Sequence, residues 1–333
     1  MRHLSLPALA AFVASAALAI AACDRGGSAS TPEPDAGVLA DAAGVDGPTP
    51  GPDAAGIADG ATDAPTSDAS SDAGGSDGGP HVTLDEFPQR AYPNGWLLAT
   101  QGSSPANYGT GAIAGSSTLV LFTDDVAGGG PCASTLECGV SQCVASTCRQ
   151  RVKEKSPRQD LSFGEYTWRV YVPTPTPADA QVSVGAFLYA DDGHELDFEC
   201  GPGTAAARAS ATLEHAGGAV GPAAAGEMLC YMTSQGNPAR SSIVAVTANA
   251  FHTFAIALTK GASSRYRATW SVDGVAFAAA DLAYGPADAC HQYVAGRACT
   301  FQPFVSVENL AFIGDTYPTA RNEAHFDWFR AAE

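Results

Sequence analysis

From residue 81 onward the chain is written in short apolar and aromatic runs that alternate with period two, each closed by Gly, Pro, Asn or Asp. Such runs stand at 118–123, 166–172, 182–189, 254–259, 266–272 and 301–307. A two-residue period puts alternate side chains on opposite faces of a strand, and no apolar stripe of helical period runs long enough to compete. Val272-Asp273-Gly274-Val275 adds a hairpin signal, because Asp-Gly accepts the positive φ angles of a tight primed turn. The pattern predicts an all-β fold, a sandwich of two antiparallel sheets. About 253 residues, 81–333, suit one such domain.

What precedes that domain reads differently. The stretch 23–80 carries 11 acids (ten Asp, one Glu) against one Arg and no aromatic residue, in repeats of Asp-Ala among Gly, Pro, Ser and Thr. Such a composition cannot bury a core, and its self-repulsion keeps it extended, so it is expected to be a disordered tether. Residues 1–22 begin with Arg2, continue as an apolar run from Leu4 to Ile20, and end in Ala21-Ala22 before Cys23. This resembles a bacterial lipoprotein signal in which Cys23 becomes the lipidated first residue. The apolar run is short for a membrane span and is followed at once by Asp24 and Arg25. The expectation is an exported protein, lipid-anchored in the bacterial cell envelope at the outer membrane or cell surface, with Cys23 its only membrane attachment.

The formal charge of −18 divides into +1 for the signal, −10 for the tether and −9 for the domain, and the whole chain holds three Lys. So acidic a domain excludes nucleic acid as partner and argues against anionic polymers. Of nine Cys, setting Cys23 aside leaves eight: Cys132, Cys138, Cys143, Cys148, Cys200, Cys230, Cys290 and Cys299. An even number in an exported chain suits four disulfides. The first four lie 6, 5 and 5 residues apart with no C-x-x-C knuckle, which disfavours zinc. Spacing leaves the connectivity open; the arrangement expected is two bridges inside that cluster, then Cys200–Cys230 and Cys290–Cys299. The Cys-rich insertion at about 127–160, with its basic tail Arg149, Arg151, Lys153, Lys155 and Arg158, is read as a stapled loop that either covers part of a ligand cleft or decorates the surface.

The run GHELDFEC places Glu195, Asp197 and Glu199 at every second position, with Leu196 and Phe198 between. On a strand the three acids share one face while the apolar residues enter the core. The two Glu Cα atoms would stand about 13 Å apart, and inward-leaning side chains could approach the roughly 5–5.5 Å carboxyl separation of retaining glycosidases. Crowding in a partly dry site also raises at least one pKa. The plain alternative is a solvated acidic strand face.

The stretch from Phe163 onward resembles glycoside hydrolase family 16. FGEYTWRVYVP (163–173) is similar to the family's strand that opens on an aromatic-Gly pair and ends in Pro. VSVGAFLYADDGHELDFE (182–199) is similar to its hairpin leading into E-x-D-x-E. FHTFAIAL (251–258) and TWSVDGVAF (269–277) resemble its later strand pair, and FDWFR (326–330) its closing strand. The resemblance implies a concanavalin A-like β-jelly roll and a retaining hydrolase or transglycosylase of β-linked, β-glucan-like polysaccharide, monomeric and requiring no cofactor. It assigns Glu195 as nucleophile, Glu199 as general acid and then base, and Asp197 as the hydrogen-bonding partner of the nucleophile. The motif without an inserted residue resembles the unbulged type of lichenase-like and transglycosylase-like members. Asp327 falls where some members hold a structural calcium ion. Trp96, Tyr189 and Tyr231 are the candidates for stacking on sugar rings, whereas Trp168, Trp270 and Trp328 are read as core. His252 is read as structural, and His194 as facing away from Glu195. Two rival readings stand beside the enzyme: a non-catalytic carbohydrate-binding lectin on the same fold, and a stapled envelope protein whose acids are incidental.

Overall fold

The computed structural model describes residues 81–87, 95–99, 107–124, 130–138, 141–144, 146–236, 238–290 and 296–333. The signal 1–22, Cys23 and the tether 23–80 lie outside the described residues. In chain order the strands are β1 (Val82–Glu86), β2 (Leu97–Leu98), β3 (Tyr108–Ile113), β4 (Ser116–Asp124), β5 (Gln142–Val144), β6 (Thr147–Arg149), β7 (Arg151–Lys155), β8 (Gly164–Val172) and β9 (Val182–Asp191). They continue as β10 (His194–Gly201), β11 (Glu214–His215), β12 (Glu227–Gly236), β13 (Arg240–Thr247), β14 (Ala250–Lys260), β15 (Tyr266–Val272), β16 (Val275–Asp281), β17 (Gln302–Asn309) and β18 (Arg321–Ala332).

These strands make a jelly-roll sandwich. One sheet runs β16-β15-β14-β8-β18-β4-β3, with β1 also on β18; the other runs β11-β13-β12-β10-β9-β17-β7-β2. Pairing is antiparallel except for the two-residue β11 against β13. Chain segments pass back and forth between the sheets, so strands distant in sequence lie side by side.

Alternation builds the core. Tyr166, Trp168, Val170 and Val172 of β8 point inward, as do Leu196, Phe198 and Cys200 of β10. The two layers meet where Phe198 of β10 packs on Phe254 of β14, with ring centroids 5.0 Å apart. Trp168 and Trp270 are buried core residues and Trp328 is half-buried. The Asp273-Gly274 turn has φ of 50° and 79°, the left-handed pair of a primed hairpin turn, and it joins Val272 directly to Val275.

Four disulfides close: Cys132–Cys143, Cys138–Cys148, Cys200–Cys230 and Cys290–Cys299. The first two staple the β5–β6 hairpin. The insertion is shorter than the sequence suggested, because 151–155 is no part of that loop. It is β7, a strand of the second sheet, with Val152 and Glu154 turned inward and Arg151, Lys153 and Lys155 outward. Its charge hid an ordinary period-two pattern.

Two further expectations are corrected. Trp96 is only 4% exposed. Its ring lies edge-on to Phe87 at 4.8 Å and to Phe329 at 5.5 Å, and Nε1 donates to Asp85. It therefore belongs to the core and offers no face to a sugar. Asp327 sits at a register shift of β18 and its carboxylate is taken by Arg169, whose guanidinium lies 4.0 Å from the Phe251 ring centroid. A carboxylate committed to Arg is no calcium ligand, and among the described residues no group of acids gathers around it.

Because Phe198 joins the two layers, Phe198→Ala should cost about 3–5 kcal/mol of stability by chemical denaturation. Val275→Ala, on the exposed end of β16, should stay within about 0.5 kcal/mol. Equal effects would contradict this packing.

Candidate active site

The inward demand of Leu196, Phe198 and Cys200 turns Glu195, Asp197 and Glu199 to the outer face of the second sheet. β10 lies between β9 and β12, which sets the neighbours of each acid. Glu195 stands between Tyr189 and Gln235, Asp197 between Phe187 and Thr233, and Glu199 between Gly185 and Tyr231. The sole register shift of β10 against β9 falls between His194 and Glu195, so the trio itself is in regular register. Cys200 faces Cys230 directly, and their disulfide fastens β10 to β12 one residue beyond Glu199.

Polar groups from β12 reach the acids. Thr233 Oγ1 donates to Asp197 Oδ2 at 2.6 Å. Gln235 Nε2 donates to Glu195 Oε2 at 3.0 Å and lies 3.4 Å from Asp197 Oδ2. Burial, and then the neighbouring Asp197 charge, lift Glu195 well above the usual carboxylate range, with Lys153 opposing. Burial and the Glu199 charge lift Asp197 to about 7, against the hydrogen bonds it accepts. Glu199 rises to about 8 through burial and the charges of Glu308 and Glu195, opposed by Arg151 and Lys153.

On the other side of the acids the face continues across β9 and β17 to β7. Glu308 of β17 is buried and ion-paired with Arg151 and, at 3.1 Å, with Lys153. Burial would raise Glu308, but the two cations outweigh it and hold its carboxyl at about 2. Between Lys153 and Glu199 in the register lie Ser306 and Gly185. A Cβ on Gly185 would stand 2.3 Å from Ser306 Oγ, so glycine is needed here for close approach. The Lys153 ammonium lies 5.0 Å from the centroid of Phe187, the cross-strand neighbour of Asp197. Arg151 Nη1 donates to Gln142 Oε1 at 3.1 Å, which ties the stapled hairpin to this wall.

Of the sequence candidates, Glu195, Asp197, Glu199, Tyr189 and Tyr231 come together on this face, and Trp96 and Asp327 do not. Tyr189 is half-buried and its hydroxyl donates to Asp192 at 2.8 Å; Tyr231 is half-buried against Phe312, centroids 5.5 Å apart. His194 pairs with Asp191 at 2.7 Å and His252 with Asp273 at 2.7 Å. Thr233, Gln235, Glu308, Arg151 and Lys153 were missed. A signal existed for two of them: once Cys200 is paired with Cys230 across antiparallel strands, counting outward puts 197 against 233 and 195 against 235. Among the described residues, two shallow pockets lie by Pro173–Thr176 with Arg321–Glu323 and by Ala262, Arg265 and Asp281. Neither is lined by Glu195, Asp197 or Glu199, and of the three Asp197 is buried while the two glutamates are half-buried.

These charges set a pH profile for stability. Glu199 ionises less readily in the folded state than in the unfolded one, where its pKa is about 4.3, so its penalty is absent below about pH 4 and grows until pH passes about 8. Glu308 acts oppositely: its stabilisation is present above about pH 4.3 and is lost as pH falls toward about 2. The thermal midpoint should therefore peak between roughly pH 4 and 6. Glu199→Gln should raise it at pH 8 by about 2–6 °C and flatten the alkaline decline. Scanning calorimetry from pH 2 to 9 checks this, and an unchanged alkaline slope in the variant would contradict it.

No family model matches the sequence, and no curated protein does. Among solved structures, the chain is similar to the catalytic domain of an endo-1,3-beta-glucanase (laminarinase) from Thermotoga petrophila RKU-1, at 13% identity and TM-score 0.47, covering 76% of this chain and 98% of that one. It is similar to an endo-1,3-beta-glucanase from Streptomyces sioyaensis, at 16% identity and TM-score 0.45, covering 78% and 98%. It is also similar to the apo Crh5 transglycosylase, at 13% identity and TM-score 0.44, covering 76% and 84%.

Proposed function

We propose that the domain is a retaining glycoside hydrolase or transglycosylase of β-linked, β-glucan-like polysaccharide, held at the cell envelope by the tether and lipidated Cys23. The observation that carries this reading is the acid trio. Three carboxyls occupy consecutive outward positions of a central strand, where burial lifts Glu199 to about 8, so that it keeps a proton near neutral pH, and Thr233 and Gln235 hydrogen-bond the other two.

Each residue then has a task. Glu195 attacks the anomeric carbon while Glu199 gives its proton to the leaving oxygen, so the glycosidic bond breaks as a glycosyl ester on Glu195 forms. Glu199, now ionised, takes a proton from water or from a sugar hydroxyl, which displaces Glu195 and completes hydrolysis or transfer. Glu195 must be ionised to attack. Thr233, which donates to Asp197, and Gln235, which donates to Glu195, supply hydrogen bonds that favour the ionised carboxylates. Tyr189 and Tyr231 flank the trio across the strands, which supports a role in packing on neighbouring sugar rings.

The test is product release by the purified protein from mixed-linkage β-glucan and laminarin. Glu195→Gln should abolish turnover and Glu199→Gln should lower kcat by about 10²–10⁴, each with the fold retained. Activity of the parent protein should decline on the alkaline side near about pH 8, as Glu199 loses its proton. Polymer bound by the parent protein without products would hand the site to the lectin reading.

A further inference from the structure

We propose that the β7 side of the acid face is a subsite for an acidic substituent, a carboxylate or a sulfate ester, carried by the sugar chain; this rests on the glycosidase reading for the way the chain lies.

Lysine is scarce here: three in 333 residues. Two of them, Lys153 and Lys155, stand with Arg151 at alternate positions of the five-residue β7, all on the face that holds the acids. Composition alone would scatter them. The register aligns each with the acid strand: Lys153, Ser306, Gly185 and Glu199 form one row, and Lys155, Phe304, Phe187 and Asp197 the next. Three strand spacings separate β7 from β10, about 14 Å at ~4.8 Å each. A polymer crossing the strands at the acids therefore reaches β7 within a few sugar residues.

The charge balance differs along this path. Glu308 is the acid that faces β7 in this register, and it pairs with Arg151 and Lys153. Lys155 has no ion-pair partner among the described residues. Arg151 and Lys153 also serve the acids, whose charges lie close to theirs. Lys155 does not, since Phe304 and Phe187 lie between it and Asp197. The wall is pre-organised: Gln142 holds Arg151, and Ala99 N donates to the Lys153 carbonyl at 2.9 Å on the outer edge of β7. The net charge of the whole domain opposes an anionic ligand only at long range, where salt screens it. At contact the local cations decide.

The experiment compares binding of three polymers with one backbone, laminarin, carboxymethylated laminarin and sulfated laminarin, to the full chain bearing Glu195→Gln, so that no cleavage intervenes. At low salt at least one charged polymer should bind about tenfold or more tighter than laminarin, an advantage that added salt shrinks. Adding Lys155→Glu, or Lys155→Gln as a milder change, should remove most of it. Lys260→Ala, on an exposed end of β14 in the other sheet, should leave it intact. Preference for the carboxymethylated or the sulfated polymer names the substituent. Equal affinity for all three polymers, or an advantage that survives both Lys155 variants, overturns the subsite. Turnover by the parent chain separates the two claims: cleavage of laminarin with no charge preference sinks the subsite alone, whereas charge-selective binding without cleavage of any polymer keeps the subsite and sinks the glycosidase.

Discussion

The burial of three side chains on one strand, Leu196, Phe198 and Cys200, governs this structure. β10 is central in its sheet, so its inner face cannot be exposed without opening the sandwich, and its outer face must then carry whatever stands at the odd positions. The acids are displayed because the core holds the residues between them. The Cys200–Cys230 bridge fastens the same strand to β12, and through that register Thr233 and Gln235 meet their carboxyls. One alternating octapeptide thus sets core, register and site together.

Crowding three carboxyls on a half-dry sheet face costs stability, and the fold offsets the cost locally. Arg151 and Lys153 bring positive charge to within reach of Glu199 and Glu195, while Glu308 holds those two cations in place by ion pairs. Glu308 is deeply buried and would be untenable alone; with two cations it stays ionised. The stapled hairpin joins this balance through Gln142. Its two disulfides hold a segment too small to have a core of its own, and one of its side chains ends on the wall of the acid face.

Much of this was legible in the residues. Tyr166–Val172 and Val182–Tyr189 read as strands because β-branched and aromatic residues alternate there, and Asp273-Gly274 read as a turn because of the φ angles those residues accept. The outward direction of Glu195, Asp197 and Glu199 followed from the same period. β7 was not legible as a strand, because Arg-Val-Lys-Glu-Lys has one apolar residue and sits beside a Cys-rich loop. Trp96 was misread because an isolated Trp beside Pro and Gly carries no period to say which way it faces. Asp327 was misread because a carboxylate's partner is a property of the neighbouring strand, here Arg169 on β8.

The sequence by itself determined what local chemistry and period two can determine: two sheets, the inner and outer faces of each long strand, the acid trio on one side of its strand, and four pairs of cysteines. Only the tertiary structure decided which strands became neighbours, and with them the groups that meet the acids: Thr233 and Gln235 from one side, Lys153, Arg151 and Glu308 from the other. The reason is physical. Which face a side chain takes is set within a few residues of backbone, whereas lateral order in a sheet is set by non-local pairing across crossovers, and charges respond to whatever that pairing brings within a few ångströms.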